Sequence, residues 1–553
     1  MSCARVNSSG FETLERRLLL TSLPGVTAAD SGAGSMLQAP LDAKLSPGAD
    51  AVPLIPGSGI PGSPPPTIQP SGPTGTVRRP QGWVAQYNGP GSYWDEVTDF
   101  ALGDDGVYVT GFAYMPDSNR AFATVKFDYA GRQLWSRNYL LGGTNGSAQA
   151  NGVAVDGDGN VFVTGWSYDY EPGPPFERII NDAVTLKYDA AGNLLWERRY
   201  RLPGENNQPQ DIAIDSAGNA YVAGAAWIGD ADGGFDLFLL KYSPDGVLLW
   251  DRTIGRTGDR WDAGYEIALD PDENPVVGGY TEPFFFGPDV TWGYLVKYTS
   301  NGDLLWQRDH ESYNVGSAWW HVDVNAAGQI YASGEIAPPG DLSYVWTSQY
   351  DSDGTLLWDR HYDGTANASN YIGGMDLTPT GGVVVSGTSW DFALPQGGFT
   401  QIVTIRYEPD GTQVWQRLDR GGYDHALGRD VAVDRLGRAY VTGYGFNENG
   451  MEDMVTLSYT PTGGLNWRRI YADPHGRSDR ATAIAVDASS NVFVAGDAWV
   501  GFENYYDFTT IRYTTSSITF PSEVDGHGNA FSRSLLEQLQ VDDELEMAID
   551  SVS

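Results

Sequence analysis

One short phrase recurs seven times in this chain, and it limits the folds open to it. Its clearest copy reads Tyr188-Asp-Ala-Ala-Gly192-Asn-Leu-Leu-Trp196. An aromatic is followed by glycine four residues on, and by tryptophan four residues after that. The aromatics are Phe127, Tyr188, Tyr242, Tyr298, Tyr350, Tyr407 and Tyr459. The glycines are Gly131, Gly192, Gly246, Gly302, Gly354, Gly411 and Gly463. The tryptophans are Trp135, Trp196, Trp250, Trp306, Trp358, Trp415 and Trp467, at intervals of 52 to 61 residues. Self-similarity at such a period is the mark of a repeat architecture.

Each unit contains four strand-like pieces. In the second unit these are Gly152-Val-Ala-Val155, Val161-Phe-Val-Thr-Gly165, Ala183-Val-Thr-Leu-Lys-Tyr188 and Leu194-Leu-Trp196-Glu-Arg198. Asp, Asn and Gly join the first piece to the second and the third to the fourth, at positions that favour positive φ. A four-stranded antiparallel unit of ~50 residues, repeated, predicts an all-β chain folded as a single β-propeller. Triplets of the first three strands end at the seven aromatics above and at Tyr513, which makes eight. No glycine–tryptophan strand follows Tyr513, but an orphan one, Gly82-Trp83-Val-Ala-Gln-Tyr87, precedes the first triplet. The expectation is eight four-stranded blades closed by this N-terminal strand, with seven as the alternative. Closure removes the free edges that invite aggregation.

The second strands carry glycines at Gly111, Gly165, Gly224, Gly279, Gly334, Gly387, Gly443 and Gly496. Crowding between neighbouring blades near a central channel is the expected reason. Trp83 and the seven repeat tryptophans are expected to wedge between blades as structural residues. Two residues after each of the seven stands an arginine: Arg137, Arg198, Arg252, Arg308, Arg360, Arg417 and Arg469. Positions i and i+2 share a strand face. A local carboxylate or aromatic partner explains them more simply than an anion site does.

Outside the repeats, residues 1–22 place Arg16-Arg17 before a brief apolar run, Leu18-Leu19-Leu20. Glu15, Arg16, Leu18 and Leu19 resemble the "LEPR-LL" segment that opens many large exported planctomycete proteins, although its usual proline is missing. This implies an export segment. Residues 23–80 are rich in Pro, Gly, Ser and Ala and read as a disordered spacer. Residues 81–514 are the repeats. Residues 515–553 form a tail with helical spacing of apolar residues near 532–541.

The formal net charge is −37, from 71 acidic and 34 basic residues. Such a surface repels phosphate backbones and excludes nucleic acid as a partner. The sole cysteine is Cys3, so the repeats have no thiol or disulfide chemistry. No run of 18 apolar residues exists to span a membrane as a helix.

The units resemble the bacterial β-propeller repeat family labelled SBBP. Asn219-Ala-Tyr-Val-Ala-Gly224 and Ala183-Val-Thr-Leu-Lys-Tyr-Asp-Ala-Ala-Gly192 carry the likeness, which extends over residues 81–514. The resemblance implies the fold and no catalytic residues.

Short turns at one end of each sheet contrast with long, variable loops at the other, where binding groups are expected. Three residues past the second-strand glycine stand Tyr114, Tyr168, Trp227, Trp390, Phe446 and Trp499. These six form a candidate ligand- or partner-binding rim, with packing between blades as the plain alternative. Asp156-Gly-Asp-Gly-Asn160 is similar to the start of a calcium loop, but Val161 stands where glycine is needed and no Glu closes it. It reads as a turn, with calcium among the acidic loops open but unplaced, and no other cofactor or metal site is expected. The histidines His310, His321, His361, His425, His475 and His527 fall at unrelated repeat positions. His425 beside Asp424 is a catalytic pair only if a distant third group joins it. No catalytic residue is identified.

Two function classes follow. The first is a secreted or cell-surface, non-catalytic module that binds a protein or polysaccharide through its loop-rich face. The second is an enzyme, either a quinoprotein-type dehydrogenase or a polysaccharide lyase or hydrolase. The Asp189-to-Trp196 turn superficially resembles the quinoprotein one, but the vicinal disulfide of many such enzymes is unavailable here.

Overall fold

The computed structural model describes residues 82–91, 93–140, 146–171, 178–202, 206–227, 234–255, 261–281, 291–309, 316–337, 342–364, 368–391, 398–473, 476–499 and 506–514. The expected export segment, the spacer and the tail lie outside them.

Among the described residues the chain is all strand and turn, with β1 at Gly82–Tyr87. The first unit holds β2 (Glu96–Gly103), β3 (Gly106–Tyr114), β4 (Arg120–Phe127) and β5 (Gln133–Tyr139). The second holds β6 (Ser147–Val155), β7 (Val161–Glu171), β8 (Arg178–Tyr188) and β9 (Leu194–Tyr200). The third holds β10 (Asn206–Ile214), β11 (Ala220–Trp227), β12 (Phe235–Tyr242) and β13 (Leu248–Ile254). The fourth holds β14 (Asp262–Leu269), β15 (Pro275–Thr281), β16 (Trp292–Tyr298) and β17 (Leu304–Asp309). The fifth holds β18 (Gly316–Val324), β19 (Ile330–Ala337), β20 (Tyr344–Tyr350) and β21 (Leu356–Tyr362). The sixth holds β22 (Ala368–Leu377), β23 (Val383–Asp391), β24 (Phe399–Tyr407) and β25 (Gln413–Asp419). The seventh holds β26 (Ala426–Val433), β27 (Ala439–Phe446), β28 (Glu452–Tyr459) and β29 (Leu465–Tyr471). Last come β30 (Asp479–Val486), β31 (Val492–Ala498) and β32 (Asp507–Tyr513).

Each unit is an antiparallel four-stranded meander, as alternating apolar residues and short Asp–Gly turns require. The last sheet has the order β1-β32-β31-β30, so its fourth strand comes from the far end of the sequence. β1 pairs antiparallel with β32 from Gly82 opposite Tyr513 to Tyr87 opposite Phe508. The second and third units share one hydrogen-bonded sheet through a single parallel bridge between Asn181 and Asn206. The asparagine side chains explain it: Asn181 Nδ2 donates to Asn206 Oδ1 at 3.0 Å, and Asn207 Nδ2 donates to Asn181 O at 2.9 Å. No helix among the described residues is long and apolar enough to cross a membrane.

The second-strand glycines have a different cause from the expected crowding between blades. Every one of the eight faces a β-bulge on the first strand of its own sheet. The register slips between Val97 and Asp99 opposite Gly111, and in the same way opposite each of the other seven. The bulge turns a carbonyl toward the glycine. A Cβ on Gly334 would sit 1.8 Å from Ala318 O, and one on Gly111 would sit 1.9 Å from Glu96 O.

Two kinds of link join successive sheets. The first runs between first strands. Asp99 Oδ2 accepts from Val153 N at 2.7 Å, Asp211 Oδ2 from Ile267 N at 3.0 Å and Glu266 Oε2 from Val322 N at 3.2 Å. Asp376 Oδ2 and Asp430 Oδ2 accept from Val433 N and Ile484 N, each at 2.6 Å. These acids satisfy backbone donors that would otherwise be buried without a partner.

The second link is the repeat tryptophan. Trp135 covers Gly192 in the next turn, where a Cβ would lie 2.7 Å from the indole. Gly192 has a φ of 79°, so it is needed both for its turn and for the ring above it. Trp135 Nε1 donates to Ala190 O at 3.1 Å, and Trp196, Trp250, Trp306, Trp358 and Trp415 repeat the bond to Pro244, Ser300, Ser352, Pro409 and Pro461. The arginine two residues on lies over its own indole, at 5.2 to 5.9 Å in all seven. In the first six units its Nε donates to the carbonyl of the covered glycine, as Arg252 does to Gly302 at 2.6 Å. The aromatic stack was expected; the polar partner is a main-chain carbonyl of the next sheet, not a carboxylate.

Gly334→Ala should therefore lower stability by about 1–3 kcal/mol or more. Gly157→Ala, with nothing within 4 Å of the added Cβ, should be close to neutral. Thermal melts of the two variants beside the parent check this pair.

Candidate functional site

Antiparallel connectivity puts the first–second and third–fourth strand turns at one end of every sheet. The second–third loops and the unit-to-unit connections lie at the other. At the turn end Asp156 Oδ1 accepts from Asp158 N at 3.0 Å and Asn160 N at 2.8 Å, and Oδ2 accepts from Asn160 Nδ2 at 2.8 Å. Asp189 holds its own turn identically. These carboxylates are committed to their turns. No group of three or more His, Cys, Asp or Glu side chains suited to a metal ion occurs among the described residues.

The six rim residues lie toward the loop ends of second strands, Tyr168 three residues inside β7 and the others at or beside the strand end, and all are half-buried. Tyr114 ends β3, 5.9 Å from the ring of Tyr93. Tyr168 stacks on Trp166 at 5.9 Å. Trp227 meets Phe235 edge-on at 5.9 Å, and Phe235 stacks on Trp261 at 4.7 Å. Trp390 stands opposite Thr400 in β24. Phe446 meets Tyr444 at 6.0 Å. Trp499 meets Tyr506 edge-on at 5.4 Å, with the Arg477 guanidinium over its indole at 5.3 Å. Each has aromatic or strand neighbours of its own, and none of these contacts joins one of the six to another.

Two residues that rim counting overlooked stand out. Tyr93 and Trp94, in the connection from β1 to β2, are 46% and 42% exposed and are the only exposed aromatics among the described residues. Trp94 lies 5.5 Å from Tyr506, which continues to Trp499. Their backbone is pinned. Gly91 N donates to Tyr114 O at 2.8 Å, Tyr93 N to Gly91 O at 2.7 Å and Asp95 N to Tyr506 O at 2.8 Å. Buried Asp95 accepts from Gly89 N at 2.5 Å and Tyr114 N at 3.0 Å. Asp479 does similar work beside the rim, accepting from Asp473 N at 2.5 Å and Trp499 N at 3.2 Å. The sequence signal was present: Tyr93-Trp94-Asp95 is an aromatic pair with an acid in a unit-to-unit connection, a class of loop not indexed from the glycines.

Among the described residues the histidines do not assemble a catalytic group. His321 Nδ1 pairs with Glu266 at 3.0 Å and His361 Nε2 with Asp359 at 3.2 Å. His425 Nδ1 accepts from Thr400 N at 3.3 Å, while Asp424 is exposed. His310, His475 and His527 lie outside the described residues.

Burial pushes several carboxyls up. Asp95 rises to about 7. Asp507 also rises to about 7, through burial and then the charge of Asp95. Asp479 rises to about 8, and Asp497 is raised by burial first and by Glu96 next. Burial favours the neutral form.

Among known proteins, the SBBP family, described as a β-propeller repeat, matches residues 135–170, so the repeat is of that type. No curated protein matches the chain. Solved structures similar to it include the WD40 domain of SCAP from fission yeast, at 8% identity and TM-score 0.42, covering 78% of this chain and 98% of that one. An ulvan lyase of a new polysaccharide lyase family is 12% identical with TM-score 0.38, covering 78% and 95%. A gluconolactonase from Xanthomonas campestris is 17% identical with TM-score 0.25, covering 56% and 95%. At these TM-scores the likenesses say nothing of what this chain does.

The raised carboxyls set a pH dependence. Each binds its proton more tightly folded than unfolded. Their stabilisation is full below the ordinary carboxylate value of about 4 and is lost as pH rises through 7 to 8. The melting temperature should fall from pH 5 to pH 8.5, and Asp95→Asn should flatten the slope.

Proposed function

We propose that the chain is a single β-propeller of eight four-stranded blades, closed by β1, and a secreted or cell-surface binding module without catalysis. Closure is supported at the junction between the last sheet and the first. β30 packs against β2, as each first strand packs against the next. Val97 N donates to Asp497 Oδ1 at 2.7 Å across that junction. Trp83 repeats the staple there: it covers Gly131, and its Nε1 donates to Tyr129 O at 3.0 Å. Ala85 stands where the other blades have arginine, and Arg512 Nη1 donates to Tyr129 O at 2.9 Å, as the third-strand lysines Lys126, Lys187, Lys241 and Lys297 do to the corresponding carbonyl of their next turns. Asp430 is pushed well above the carboxylate range by burial first, with Asp376 and then Glu266 adding to it. Glu266 belongs to a strand three units earlier than that of Asp430 in the series of eight, which favours first strands converging on a common axis.

The observation that carries the binding role is the distribution of aromatics. The turn end is stereotyped and its acids serve their own turns. The loop end gathers half-buried and exposed rings on pinned backbone, a surface suited to holding a protein or polysaccharide partner. The acidity of the chain, −37 overall, argues against a nucleic-acid partner. The terminal segment resembling export signals supports the extracellular or cell-surface location.

Binding and turnover assays with a polysaccharide panel and candidate surface proteins test the reading. One partner should bind without chemical change, and Trp499→Ala, in the rim, should weaken it about three- to tenfold. Polymer cleavage, or dye reduction after pyrroloquinoline quinone and calcium are added, contradicts it.

A further inference from the structure

We propose that Tyr93, Trp94, Tyr506 and Trp499 form a platform that binds a neutral polysaccharide chain. The proposal rests on the binding role above and assigns it to one place and one ligand class. Exposed aromatics cost solubility and lose solvation entropy, so a protein that keeps two of them side by side on a fixed backbone has a use for them. Trp94, Tyr506 and Trp499 form a continuous run, with ring centroids 5.5 and 5.4 Å apart, and Tyr93 lies against Tyr114 at 5.9 Å. The five backbone and carboxylate bonds around Gly91, Tyr93 and Asp95 hold the exposed pair in place before any ligand arrives, which lowers the ordering cost of binding.

Size separates a sugar ligand from a protein one. Two rings each a little under half exposed offer on the order of 200 Å². A standard protein interface buries about 800 Å² on each side around a larger apolar centre. Most exposed aliphatic residues, such as Leu194, Leu195, Leu248 and Leu249, follow the third–fourth strand turns at the opposite end and cannot add to this surface. Flat apolar rings beside polar groups suit the C–H faces and hydroxyls of sugar rings.

Charge separates a neutral chain from an acidic one. Arg480, over Tyr506 at 6.0 Å, is already paired with Glu452 at 2.8 Å. Arg477 lies over Trp499. The whole chain carries −37, which disfavours polyuronates and sulfated glycans.

The test is affinity electrophoresis and calorimetry of the full chain with hydroxyethyl cellulose, galactomannan and laminarin, against alginate as the acidic control. The parent protein should bind at least one neutral polymer, with little dependence on salt. Trp94→Ala combined with Tyr93→Ala should weaken that binding at least about tenfold at an unchanged melting temperature. Trp227→Ala should leave it intact. Loss of binding in Trp227→Ala but not in the Tyr93/Trp94 variant removes the platform and keeps the binding role. Binding to alginate alone, to a protein partner alone, or to none of the neutral polymers overturns the proposal.

Discussion

The contact on which the rest depends is an indole laid over a glycine of the next sheet. A four-stranded antiparallel sheet with two apolar faces is unstable alone. Stacking buries both faces, but it needs a device that sets the spacing and angle of each neighbour. Here the indole ring, its N–H and the arginine two residues on hold one turn at three points: a ring over Gly Cα, a bond to the carbonyl two residues before it and a bond to its own carbonyl. The arginine covers the solvent side of the indole, so the staple is shielded as well as placed. Glycine is required beneath because its positive φ makes the turn and its missing side chain admits the ring. The nine-residue phrase is thus half of two different contacts, which explains why its spacing barely varies while the loops do.

At the other edge of each sheet the bulge plays a matching part. It raises local twist and aims one first-strand residue toward the next sheet, where Asp99, Asp211, Glu266 or Asp430 accepts a backbone N–H. The glycine on the second strand is the imprint of that bulge. Buried carboxyls placed this way hold main-chain donors, and burial pushes Asp430 well above the ordinary carboxylate range.

Much of this was legible in the sequence. The tryptophan period gave the unit, the turn glycines gave the hairpins, and the orphan strand at Trp83 anticipated a partner for the strand ending at Tyr513. What escaped notice depended on register. The bulge leaves no composition signal on the first strand, where the extra residue is as different as Thr98, Trp320 and Gly373. The arginines looked like carboxylate partners because strand alternation reveals a shared face and not what approaches it from the next sheet. The candidate site was less legible. The rim slot found six half-buried aromatics, whereas the most exposed pair, Tyr93 and Trp94, sits in a connection that no repeat position indexes. Pairing of the Asp95 carboxylate with Gly89 in the same connection and with Tyr114 at the end of β3 fixes that connection and has no sequence period.

The claim that the first strand completes the last sheet is tested most directly by joining the two covalently. Gln86 and Thr509 are opposed in the ladder between β1 and β32, with Gln86 Nε2 3.5 Å from Thr509 Oγ1. Directly opposed residues of an antiparallel pair lie within disulfide reach. With Cys3 replaced by serine, the variant carrying Gln86→Cys and Thr509→Cys should form an intramolecular disulfide under mild oxidation and melt at a higher temperature than its reduced form. Failure to link, or links only between chains, would contradict the account.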